Sequence, residues 1–77
     1  MSKLPRDVPG DRLVRAVLRV GWYRDHQVGR HVTHRHRENP GKNVVVPVHQ
    51  GRPLKPKVLQ RILHEAELTI ERLKELL

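Results

Sequence analysis

The chemical capacity of this 77-residue chain lies in six histidines set among sixteen Lys and Arg side chains. His31, Thr33 and Arg35 form the most suggestive group. Residues of a strand alternate between its faces. In the stretch His31–His36 the one strongly apolar residue is Val32, which must point inward. His34 and His36 then share its side, at the rim of the core, and His31, Thr33 and Arg35 form a row on the outer face. That row suits a phosphodiester. Arg pairs with phosphate oxygens bidentately, and a hydroxyl bonds phosphate or sugar. Imidazole takes or gives a proton near neutrality. RNA supplies its own nucleophile, the 2′-OH, so a base that removes its proton permits attack on the adjacent phosphorus without a metal.

The spacing of His31, His34 and His36 invites a metal reading, but alternation turns His31 away from the other two. Zinc sites want three or four ligands, and the chain has no cysteine. No metal and no cofactor are therefore assigned. His26 and His49 fall near strand ends, where they could flank a reacting phosphate; either of them, or water, is open as the general acid. His64 lies inside a helix beside Glu65 and reads as a surface residue. Lys55 and Lys57 flank Pro56 at a helix start, and a helix N-terminus favours anions.

The elements that must position these groups follow from spacing. Residues 11–20 are predicted helical, with Leu13, Val14, Val17 and Leu18 on one side and Arg12, Arg15 and Arg19 on the other. Gly21 stops this helix. Residues 22–27 and 31–36 read as strands around a tight connection at Val28-Gly29-Arg30. Asn39-Pro40-Gly41 suits a turn. Residues 43–48, rich in β-branched valine, read as a third strand; Pro47 lacks an N–H, which places it at a sheet edge or a strand end. Residues 54–66 read as a second helix with Pro56 in its first turn and Leu59, Ile62, Leu63 and Ala66 at helical spacing. Thr69 can cap a short last helix carrying Ile70, Leu73, Leu76 and Leu77. The expected fold class is α+β: a three-stranded antiparallel sheet with helices on one face and the other face open. Residues 1–77 are read as one domain.

Charge divides the chain unevenly. Residues 1–61 hold fourteen of the basic residues against four acids, whereas residues 62–77 carry a net −2. The sequence pI is about 11.2, above the value of about 9 that marks a nucleic-acid-binding domain. The basic part is therefore the part to set against phosphate. Trp22 and Tyr23 are the only Trp, Tyr or Phe residues, which argues against reading single strands by stacking bases on a row of rings. No apolar run approaches the ~18 residues of a membrane span and no signal peptide is visible, so a soluble cytoplasmic protein with no membrane partner is expected.

Further features carry a resemblance. The opening Lys3-Leu4-Pro5-Arg6-Asp7-Val8 precedes Gly10 and a helix ending at Gly21-Trp22. Gln27-Val28-Gly29-Arg30-His31 is followed by Arg35-His36. Val44-Val45-Val46-Pro47-Val48-His49 then leads to Gly51, Leu54-Lys55-Pro56, Leu59 and Ile62-Leu63. In order and spacing the chain resembles the HicA-type toxins of toxin–antitoxin pairs, small mRNA interferases. The family signature is Gln-x-Gly-Ser-His; here Arg30 stands where the family usually has Ser, so a hydroxyl is exchanged for a charge that can bind phosphate. The resemblance implies an α-β-β-β-α fold like that of double-stranded RNA-binding domains. It implies ribonuclease activity dependent on the histidine after the glycine, which is His31, with Gly29 the matching glycine. It also implies neutralisation by a cognate HicB-like antitoxin in a hetero-oligomer.

Joined to the outer-face row, these expectations describe an endoribonuclease acting on mRNA. His31 is its general base; Gly29, Arg30 and Arg35 meet the scissile phosphate; Lys55 and Lys57 extend the RNA track. One alternative is a basic module of the same fold that holds structured RNA without cutting it. Another is an interaction protein whose basic face meets an acidic partner.

Overall fold

The computed structural model describes residues 3–77. It contains α1 (Gly10–Leu18), β1 (Trp22–Val28), β2 (His31–His36), β3 (Asn43–Pro47), α2 (Pro56–Ala66) and α3 (Ile70–Leu76). The strands form an antiparallel sheet in the order β1-β2-β3. The helices pack on its inner face, giving the expected α+β arrangement with a short terminal helix. Pro47 satisfies both expectations for it: it ends β3, and β3 is an edge strand.

Three helix boundaries differ from expectation, the start of α1 by a single residue, at Gly10. α1 stops at Leu18 because Arg19 and Val20 close only tighter turns, their N–H groups bonding Ala16 O and Val17 O at 3.1 Å each. Gly21, at φ +97°, then turns the chain into β1. Leu18, expected on the apolar side, is 40% exposed; the buried side chains of α1 are Leu13, Val14, Ala16 and Val17. α2 begins at Pro56 because Pro53 and Leu54 are held extended: Pro53 bridges Pro9, and Leu54 N–H donates to Val8 O at 2.8 Å.

The core joins Leu13 and Val17 of α1 to Val44 and Val46 of β3, Leu59 and Ile62 of α2, and Leu73 of α3. Fully burying one such side chain contributes about 1.5–3 kcal/mol. Thr69 caps α3, its Oγ1 accepting from Arg72 N–H at 3.0 Å. Gly10 sets how closely α1 approaches the exit of β3, because a Cβ there would overlap Pro47 O. No helix among the described residues is long and apolar enough to cross a membrane.

β2 divides its residues as alternation requires. Val32 and His34 are buried and His36 half-buried, while His31 is exposed and Thr33 and Arg35 lie half-exposed on the outer side. Within the inner set His34 is not at the rim: it is wholly buried. Its Nδ1–H donates to the carbonyl of its cross-strand partner Val44 at 3.2 Å, and its Nε2 has no partner. That single bond is the one hydrogen bond the ring makes in the core. His36 sits nearer the edge, with its ring edge-on to Trp22 at 5.0 Å and its Nε2–H directed to Val20 O.

Burial pushes the His34 imidazole below its ordinary value of 6.5, since desolvation disfavours the charged ring. The unfolded chain therefore takes a proton on His34 at a higher pH than the folded one. Stability present at pH 7.5 should be lost as the pH falls through 6.5 and below. Urea denaturation at pH 7.5 and pH 5 should show this loss, and His34→Leu should reduce the difference between the two. Equal pH dependence in both proteins would show that His34 does not contribute. Separately, Gly10→Ala should lower stability by about 1–3 kcal/mol in the same assay, as overpacking at a close contact does.

Candidate nucleic-acid interface

The β1–β2 hairpin carries the first site residues. Val28 pairs with His31 across a two-residue turn. Gly29 takes φ +57° while Arg30 keeps a negative φ, the sign pattern of a turn with glycine at its first central position. The side chain of Gln27 braces this turn by donating from Nε2 to Gly29 O at 2.9 Å. The space around Gly29 is open, with nothing within 4 Å of where a Cβ would stand. Glycine is thus required at this position by backbone conformation and not by close approach of another group.

The turn is tied to the segment leaving β3. Val48 N–H donates to Arg30 O, and one residue further on the Arg30 side chain meets His49, with Nη1 to Nδ1 at 2.8 Å. These contacts bring His49 to the end of the sheet where His31 is exposed. His31 and His49 both line a cleft of about 400 Å³, together with Arg52 and Lys55 over an apolar floor of Pro47 and Leu54. No carboxylate lines it among the described residues. Lys55 is the N-cap of α2, which begins with Pro56 and has no side-chain cap. The first N–H groups of α2 add partial positive charge at this end. The cleft therefore combines two imidazoles, two cations and a helix N-terminus, an arrangement suited to a phosphodiester.

The other expected residues lie elsewhere. Lys57 is exposed in the first turn of α2 and does not line the cleft. Arg35 faces outward as expected, but its guanidinium is occupied: Nε lies 3.2 Å from Asp25 Oδ2, and Nη1 donates to Pro40 O at 2.8 Å. Asp25 reaches it because the β1–β2 register shifts between Arg24 and His26, leaving Asp25 as the extra residue of a bulge. His26 Nδ1–H also donates to Asp25 Oδ2, at 2.7 Å. These two hydrogen bonds, the one from His26 foremost, hold the Asp25 carboxyl below its usual range. His26 thus belongs to an Asp25-centred group opposite Thr33, two residues along β2 from His31.

Arg52 is a cleft residue that sequence reasoning missed. Its only local signal was its position between Gly51 and Pro53, in a loop whose course is set by the Pro9–Pro53 bridge. The Arg30–His49 contact spans nineteen positions and left no trace in local spacing.

A family model described as the HicA toxin of bacterial toxin–antitoxin matches residues 10–68, which include the hairpin, the cleft and all of α2. A search of curated proteins found no match to the chain.

The conformation of Gly29 gives a test of its role. Gly29→Ala should cost about 1–2 kcal/mol, the penalty for an L-residue in the left-handed region. Gly29→Asn should recover much of that loss, because asparagine tolerates this conformation. Thermal or urea unfolding measures both; an alanine variant as stable as the parent would show that the turn does not need glycine.

Proposed function

Because the chain belongs to the HicA toxin family of bacterial toxin–antitoxin systems, we propose that it is an endoribonuclease that cuts mRNA at the His31 cleft. The observation that carries this reading is an exposed imidazole opening into a carboxylate-free cleft beside Arg52, Lys55 and the N-terminus of α2.

In this reading the phosphodiester lies in the cleft, held by Arg52 and Lys55, while Arg30, which lines the adjoining hollow with His49 and Arg52, and Gly29 in the turn meet the RNA beside it. His31 takes the proton of the 2′-OH. The 2′ oxygen bonds to phosphorus, the bond from phosphorus to the 5′ oxygen breaks, and the departing oxygen takes a proton from water. The products are a 2′,3′-cyclic phosphate and a free 5′-OH. The step moves one proton at His31 and is written without a metal. Lys57 extends the contact along the RNA backbone. Arg35 contributes less than its charge suggests, because Asp25 neutralises it. The partner of a toxin in such a system is an antitoxin. In this reading that protein is HicB-like, acts in the cytoplasm and covers the cleft in a hetero-oligomer.

Labelled RNA incubated with the purified chain in EDTA should be cut, and DNA of the same sequence left intact. The fragments should end in 2′,3′-cyclic phosphate. His31→Ala should slow cleavage by about 10²-fold or more, the usual effect of removing a general base. Unchanged cleavage by that variant would exclude His31 chemistry. Tight, salt-sensitive binding of RNA that stays intact would instead make the chain a binding module.

A further inference from the structure

The contact between Arg30 and His49 has a chemical consequence for the cleft. A guanidinium has five N–H donors and no acceptor. Its 2.8 Å contact with Nδ1 of His49 therefore requires an unprotonated Nδ1, which accepts. The ring is then neutral and carries its one hydrogen on Nε2. Protonating Nδ1 would set two donors against each other. His49 so held is poorly suited to proton transfer: Nε2 has no free lone pair with which to act as a base, and the imidazolium that a general acid needs would have to break the Arg30 contact.

We propose that His49 serves the His31 reaction as a neutral hydrogen-bond donor, Nε2–H to a non-bridging phosphate oxygen, and that Arg30 is the positioning residue that fixes this tautomer. The proposal rests on the nuclease reading given above. Negative charge accumulates on those oxygens as the 2′ oxygen attacks, and a donor held in the cleft beside them stabilises the transition state more than the ground state. Three features place the donor. His49 lines the same cleft as His31. The bond from Val48 N–H to Arg30 O ties the segment before His49 to the hairpin. The Arg30 side chain sets which ring nitrogen bears hydrogen. His26, the other histidine considered as a proton donor, is bound to Asp25 and does not line the cleft.

Two readouts test this. In the first, cleavage of labelled RNA is followed for His49→Ala, His49→Gln and the parent chain. His49→Ala should lose about 10²–10³-fold, as loss of a transition-state donor does. His49→Gln, whose amide keeps an N–H in place of Nε2–H, should stay within about tenfold of the parent on the same scale. The parent rate should rise with pH as one proton leaves and then stay level on the alkaline side. A His49→Gln variant as slow as His49→Ala, together with an alkaline decline in the parent, would make His49 a proton donor and overturn the proposal. Full activity in His49→Ala would overturn it as well.

The second readout does not require cleavage. Nitrogen-15 NMR of the histidine rings at pH 8 should find His49 wholly in the Nε2–H form, and a mixture of tautomers in Arg30→Leu. Hydrogen on Nδ1 of His49 in the parent would overturn the proposal. His31→Ala reports on the nuclease reading alone, so failure of that reading is distinguishable from failure of this one.

Discussion

The constraint on which the molecule depends is the two-sidedness of its middle strand. β2 has a neighbour on each side, so its backbone groups are committed to the sheet and its side chains have only two directions. Val32 and His34 enter the core against Val46 and Val44, and that packing fixes register. A shift by one residue would drive His31 and Thr33 inward and expose Val32. The exposed imidazole at one end of the strand is therefore a consequence of valines packing on the opposite face.

The cleft is assembled from segments far apart in the chain. β2 supplies His31, the exit of β3 supplies His49, and the approach to α2 supplies Arg52 and Lys55. Short backbone links hold these pieces: Val48 to Arg30, Leu54 to Val8, and the bridge from Pro9 to Pro53. Gly10 allows α1 to meet the end of β3 at the same corner. Burial of the core fixes the elements, and a few hydrogen bonds among irregular segments set where the cations and imidazoles stand.

Much of this was legible from residue pattern. The bounds of β2, its two faces, the exposure of His31, the cap at Thr69 and the place of Pro56 all follow from local rules with periods of two or 3.6 residues. Other features depend on contacts that such rules do not contain. His34 points inward by alternation, but the carbonyl that accepts its hydrogen lies across the sheet, and only the register reveals it. Arg35 is drawn to Asp25 because a bulge places an extra residue beside it, and a bulge leaves no period in the sequence. Arg52 and His49 converge because loops close on each other. Leu18 matched the helical pattern, yet it lies at the last position of α1 and is exposed.

The same bulge and the proline at the end of β3 bear on how the protein behaves in a crowded solution. A three-stranded sheet has two open borders, each offering unpaired backbone groups to any extended chain nearby. Along β1 the regular ladder is interrupted at Asp25. Along β3 the final residue, Pro47, has no hydrogen to offer. Both borders are thus poor templates for adding a further strand. Interrupted pairing and a missing donor are two of the devices by which a sheet edge discourages pairing with another chain.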